Sequence, residues 1–317
     1  MKIAALFPGY GSQFVGMAKE LYDESRLIQE HFEQASSCLN INFVKLCFAS
    51  SDSDLAKIEN AFPALFLVSS SIFDVLKQEG VQVDLVAGYD VGQYAAMHAA
   101  NSLSLPDGLY LLNKYVDLYK KLVAQYDLGF IRVYGLPKKT VEQVCKKHNS
   151  KKTPVHIALY EATDTHVVVG DKKTVQVVAN ELIDLEGTTE FVGDAIGLHS
   201  SFMLPVQDGF TTYLPKVDFK DASTEFLCNV TLNHMKVGDD LRDCAISWIT
   251  KPVVWADVVE RLKDYDLLIQ IGPGTQLRDT LSARYPEKKV ISVNTSEDIE
   301  IVKEIIGIPR KEKIEEE

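Results

Sequence analysis

Apolar residues fall along this chain in two rhythms. Short, mostly apolar runs at 3–7, 83–87, 226–230, 267–271 and 290–293 have the length and content of strands buried on both faces. Between them lie longer stretches with helical spacing. One helix is predicted to end near residue 22. A strongly apolar one is predicted over 64–76, opened by Pro63 and closed at Gly80; others cover 94–124, with a second start at Pro106, and 245–262, broken at Pro252. Strands alternating with helices imply a mostly parallel sheet covered on both faces, hence an α/β fold.

Residues 128–194 change rhythm. Strands are predicted at 130–136, 155–160, 165–170 and 188–192, with helices at 137–148 and 172–183. The order β-α-β-β-α-β is that of a ferredoxin-like unit with its own small core. The chain thus divides into a large subdomain (1–127 and 195–300), an inserted small one (128–194) and a charged C-terminal tail (301–317).

The turn after the second strand carries the chemistry. Gly88-Tyr89-Asp90-Val91-Gly92 joins a strand to a helix with a glycine two residues either side of Asp90, the frame of a nucleophile elbow. Serine is the residue expected at its centre; aspartate is present. Taken alone, the pattern equally describes an aspartate capping a helix through its carboxylate.

Composition narrows the function. A formal charge of -12 argues against nucleic acid or an anionic membrane surface as the main partner, and 46% hydrophobic residues fill a large core. Lysine doublets at 138–139, 146–147, 151–152 and 172–173 leave the insertion near charge balance. They form a solvated face or a docking surface for an acidic partner. Five scattered cysteines without a C-x-x-C pair suit reduced thiols in a cytoplasmic protein, and no zinc-type spacing occurs. No stretch reads as a signal peptide or a membrane span. The loop Pro8-Gly9-Tyr10-Gly11-Ser12-Gln13 lacks the Lys-Ser/Thr ending of a phosphate-binding P-loop.

That loop, followed in order by Gly88-Tyr89-Asp90-Val91-Gly92-Gln93, His199-Ser200-Ser201-Phe202, Asn229-Val230-Thr231, Pro252-Val253-Val254-Trp255 and Gly272-Pro273-Gly274, resembles the malonyl-CoA:acyl-carrier-protein transacylase family over residues 1–295. The resemblance implies an acyltransferase fold and a role in fatty-acid or polyketide synthesis. It places Asp90 at the family's catalytic serine, Tyr89 at the residue before it and His199 at the catalytic histidine. Tyr115, beside Lys114, falls where an arginine pairs with the malonyl carboxylate. Tyr10 stands for the first-loop glutamine whose backbone N–H, with that of Val91, forms the oxyanion hole; Phe62 replaces another glutamine, and Trp248 a third that supports the histidine.

These replacements change the expected chemistry. A carboxylate attacks a thioester poorly, and its product would be a mixed anhydride higher in energy than the thioester. An acid at a helix N-terminus should also hold His199 as imidazolium. A tyrosine hydroxyl cannot replace the bidentate arginine fork. The expectation is therefore a non-catalytic partner for a coenzyme A thioester or an acyl carrier protein, with no cofactor of its own. Two alternatives stand beside it: an active acyl-CoA:acyl-carrier-protein acyltransferase with an atypical site, and a hydrolase using Asp90 as nucleophile, as in dehalogenases and epoxide hydrolases.

Overall fold

The computed structural model describes residues 1–192 and 199–310. Strand β1 (Ile3–Phe7) pairs in parallel with β2 (Leu85–Gly88), and all nine residues are buried. The insertion contributes β3 (Leu128–Tyr134), β4 (Val155–Tyr160), β5 (Thr165–Asp171) and β6 (Thr188–Phe191); after it come β7 (Glu225–Leu227), β8 (His234–Met235), β9 (Leu267–Ile271) and β10 (Lys289–Val293). The large sheet runs β10-β9-β1-β2-β7-β8, parallel except for the β7/β8 hairpin. The small sheet runs β4-β5-β3-β6, antiparallel throughout. That order, with helices Lys138–His148 and Lys172–Asp184 between its strands, is the ferredoxin-like arrangement expected.

The apolar residues form two clusters. One fills the large subdomain and takes in Phe130, Ala158, Leu159, Val167 and Val169 from the facing side of the insertion; the other, built around Ile131, Val133, Val168, Val175 and Leu182, lies within the insertion. The subdomains also share backbone: Val253 N–H donates to Ala158 O (2.9 Å), and Tyr160 N–H to Val253 O (2.8 Å), so residues after Pro252 extend the edge of β4.

Several boundaries differ from expectation. The first glycine loop does not feed a helix directly, because Gly16 and Ala18 take left-handed conformations and the helix covers only Lys19–Glu24. Pro63 does not open its helix but lies inside Ile58–Gln78, one turn beyond the start, where the missing N–H costs one bond in an otherwise buried rod. This helix is apolar and long enough to cross a membrane, yet its faces are packed within the protein. The last long helix before β9 starts earlier, at Gly238, and ends at Thr250; Trp255–Arg261 is separate.

The tail expected from residue 301 is a correction. Residues 296–306 form a helix with a capping box from Thr295 and Asp298, Gly307 in the left-handed conformation at its end, and Val302 and Lys303 buried. Residues 311–317 lie outside the described residues, as does the junction at 194/195. The cysteine expectation is corrected too: Cys228 and Cys244 form a disulfide, their Cα atoms 6.3 Å apart, while Cys38, Cys47 and Cys145 are free. A spacing of 16 residues conceals the pair, which the hairpin and helix Gly238–Thr250 bring together.

Candidate functional site

β2 ends at Gly88, and helix Gly92–Ala99 starts four residues later, so the chain reverses within three residues. The glycines at each end are required by close approach. A Cβ on Gly88 would stand 2.1 Å from Gln93 N, and one on Gly92 would stand 2.3 Å from Phe7 O. At the apex Asp90 has φ +52°, a left-handed conformation that aspartate tolerates better than most residues. Asn229 clamps the turn from below, its Nδ2 donating to Gly88 O (2.8 Å) and Asp90 O (3.1 Å).

Asp90 is 3% exposed and faces His199, which is fully buried. His199 Nε2 lies 2.9 Å from Asp90 Oδ1, and Nδ1 lies 2.7 Å from Trp248 O. A carbonyl only accepts, so Nδ1 carries a hydrogen and donates to Trp248 O, while Nε2 meets the Asp90 carboxyl across one shared proton. Both ring nitrogens are thus engaged. The elbow and histidine expected from the sequence do meet, while support from position 248 comes through its backbone carbonyl.

The Trp248 ring lies 4.8 Å from the imidazole and begins an aromatic wall. Tyr115 is 5.0 Å from Trp248 and stacks on Phe62 at 6.0 Å and 4°, and Tyr94 meets Trp248 edge-on at 5.7 Å. All four are completely buried, and the Tyr94 and Tyr115 hydroxyls and Trp248 Nε1 have no hydrogen-bond partner among the described residues. Burial pushes both phenols up, with Tyr119, Asp90 and Tyr94 adding to the effect on Tyr115. Lys114 is not part of this wall: its Nζ lies over the rings of Tyr110 and Tyr213.

A cleft of about 270 Å³ opens on Asp90 from the seam between subdomains. Tyr10, Gly11 and Tyr89 line one side, Arg132, Leu159 and Glu161 the other, with Gln276 at the rim. Tyr10 reaches Ala56 O through its hydroxyl (2.9 Å); Val91 is buried at the start of helix Gly92–Ala99. Tyr89 packs on Trp255 at 5.4 Å and donates its hydroxyl to Glu161. Glu161 also receives Arg132, with Nε–Oε2 at 2.7 Å and Nη2–Oε1 at 3.2 Å. Burial disfavours the Arg132 charge, but Glu161 more than offsets it and raises the guanidinium; burial, then Glu161, raises the Tyr89 phenol.

Sequence reasoning missed Arg132, Glu161 and Gln276. A charged residue in the middle of the apolar strand Phe130-Ile131-Arg132-Val133 was the available signal for the first. Among the described residues Ser12 and Gln13 bond within their own loop, to Gly9 O and Gly11 N. A larger hollow of about 1010 Å³ lies elsewhere, lined by Glu20, Glu24, Glu30, Glu297 and Glu300, and its acidity opposes the phosphates of coenzyme A.

Fold and site together define an α/β protein with a strand-turn-helix elbow, an acid-histidine pair and a ferredoxin-like cap over the cleft. The chain belongs to the acyl transferase domain family, whose sequence profile matches residues 5–305. It is 29% identical over 304 residues to the malonyl CoA-acyl carrier protein transacylase of Bacillus subtilis (strain 168), covering 95% of this chain and 96% of the relative. Identity to the transacylase of Staphylococcus aureus (strain MRSA252) is 26% over 302 residues, 94% of this chain and 97% of that one. Among solved structures, the acyl-carrier-protein-S-malonyltransferase of Bartonella henselae superposes with a TM-score of 0.91 at 25% identity, covering 97% and 100% of the two chains. A malonyl-transacylase solved in complex with its type II PKS acyl-carrier protein gives 0.91 at 21%, covering 96% and 100%, and shares the fold. The chain is thus transacylase-like along nearly its whole length.

Proposed function

We propose that this protein binds a coenzyme A thioester, or the acyl-bearing arm of an acyl carrier protein, without forming the ester intermediate of a serine transacylase. The observation that carries the reading is the hydrogen bonding of His199. With Nδ1 donating to Trp248 O and Nε2 hydrogen-bonded to Asp90 Oδ1, both ring nitrogens are already engaged, and the one that would activate a nucleophile faces a carboxyl group. On the resemblance, Asp90 occupies the serine position, so no hydroxyl stands there to be activated.

The same reading sets acyl preference. A malonyl carboxylate in a partly buried cleft needs a fixed cation. Tyr115 supplies none, and Arg132 is already neutralised by Glu161. A neutral acyl group is the better ligand. The relatives named for acyl carrier protein make that carrier the natural macromolecular partner.

Intact-mass measurement after incubation with malonyl-CoA and acetyl-CoA tests this. The expected result is unchanged mass together with calorimetric binding of acetyl-CoA. A stable acyl mass gain that Asp90→Ala abolishes would establish the atypical active acyltransferase instead.

A further inference from the structure

The disulfide joins the two supports of the acid-histidine pair. Cys228 directly precedes Asn229, whose amide holds the carbonyls of Gly88 and Asp90. Cys244 sits one helical turn before Trp248, whose carbonyl holds His199, so both lie on one face of helix Gly238–Thr250. Gln93, on the elbow helix, places Oε1 3.6 Å from Cys244 Sγ, and its own Nε2 is buried without a partner among the described residues. Three elements that fix Asp90 and His199 therefore converge on one sulfur-sulfur bond.

One of the two cysteines also borders a cleft. A cleft of about 420 Å³ lies between the β7/β8 hairpin and helix Gly238–Thr250, bordered by Asn233, His234, Asp240 and Ser247, with Cys244 in its lining. Cys244, 1% exposed, is part of that lining, and Cys228, fully buried, is not.

We propose that Cys228–Cys244 is a thiol-disulfide switch, reduced through this cleft by a dithiol, whose state sets the placement of Asp90 against His199. A thiolate of the dithiol attacks Cys244 Sγ; the bond to Cys228 breaks, and Cys228 leaves as a thiolate that takes a proton. The second thiol of the reductant then attacks the mixed disulfide, releasing Cys244 as a thiol and the reductant as its own disulfide. Two electrons and two protons reach the protein. The new Cys244 S–H has an acceptor ready in Gln93 Oε1, so the reduced form is internally bonded as well. Reduction frees the hairpin from the helix, and with them Asn229 from Trp248.

The test uses the folded, full-length protein and needs no acyl substrate, so its failure is separate from failure of the proposed function. Dithiothreitol treatment is followed by N-ethylmaleimide under native conditions, then by unfolding and a second maleimide of different mass. The expected pattern is the first label on Cys244 and the second on Cys228. Nitrogen NMR of His199, assigned with His199→Gln, should show its ring resonances displaced on reduction and restored on reoxidation. A Cys228→Ala/Cys244→Ala variant should show the reduced position and ignore dithiothreitol. If that variant does not fold, the wild-type titration alone decides. A bond that resists dithiothreitol until the protein unfolds overturns the proposal. So does reduction that leaves the His199 resonances unmoved.

Discussion

Replacing Asp90 separates what its charge, its hydrogen bond and its backbone each contribute. Asparagine has the same shape, tolerates φ +52°, and can turn its amide toward a neutral His199 whose Nε2 then accepts. Asp90→Asn should therefore cost only about 1 kcal/mol. Asp90→Ala loses a buried hydrogen bond between two ionisable groups, roughly 1.5–3 kcal/mol, and places a Cβ-bearing residue without a polar tip in the left-handed region, roughly 1 kcal/mol more. At about 2.1 cal/mol/K per residue, the unfolding entropy of a chain this long makes the resulting loss of roughly 2.5–4 kcal/mol a fall in Tm of about 4–6 °C, against 1–2 °C for asparagine. Differential scanning calorimetry with a urea titration at neutral pH distinguishes the two. Equal losses would mean the charge alone matters and the hydrogen-bond argument is wrong. No loss for alanine would mean that the Asp90–His199 contact contributes nothing.

Tyr115→Phe deletes a buried hydroxyl with no partner among the described residues and keeps the stack on Phe62, so it should raise stability by about 1 kcal/mol; a lower Tm would show that the hydroxyl is bonded. Glu161→Gln removes the negative partner of Arg132, and calorimetry should find malonyl-CoA bound at least about tenfold more tightly, with acetyl-CoA little changed. Burial pushes the Cys47 and Cys145 thiols up to about 12. At pH 8 only about one molecule in ten thousand carries either thiolate, so iodoacetamide should modify exposed Cys38 long before them, as peptide mass mapping of the oxidised protein will show.

Elements whose own residues dictate them were readable in the sequence. The continuous apolar run of β1 and the nearly continuous one of β9 read only as buried strands, and the insertion announced itself by a change of period. The elbow was legible because two glycines are forced by backbone approach. The Asp90–His199 pairing, by contrast, came from resemblance, since 109 residues separate the two and no local pattern joins them. The Arg132–Glu161–Tyr89 cluster depends on how two subdomains meet, which neither core encodes alone. Thr295, Asp298 and Gly307 spell the start and stop of the helix over 296–306, and the run of charge that follows it masks that signal.

The shared backbone at Val253 turns the insertion from a flap on a stalk into a lid with a latch. The stalk is the neighbouring pair β3 and β6, through which the chain passes into and out of the insertion, and the latch is the pair of bonds between Val253 and the edge of β4. Swinging the lid about the stalk must break both, and the Tyr89–Glu161 bond with them, at roughly 1 kcal/mol or more each, which holds the unlatched form to under about one per cent of molecules. A ligand too thick for the closed cleft would bind only that fraction, its apparent affinity weakened by more than about a hundredfold. A slender arm slid lengthwise along the seam would suffer no such loss, so the latch selects for reach over girth.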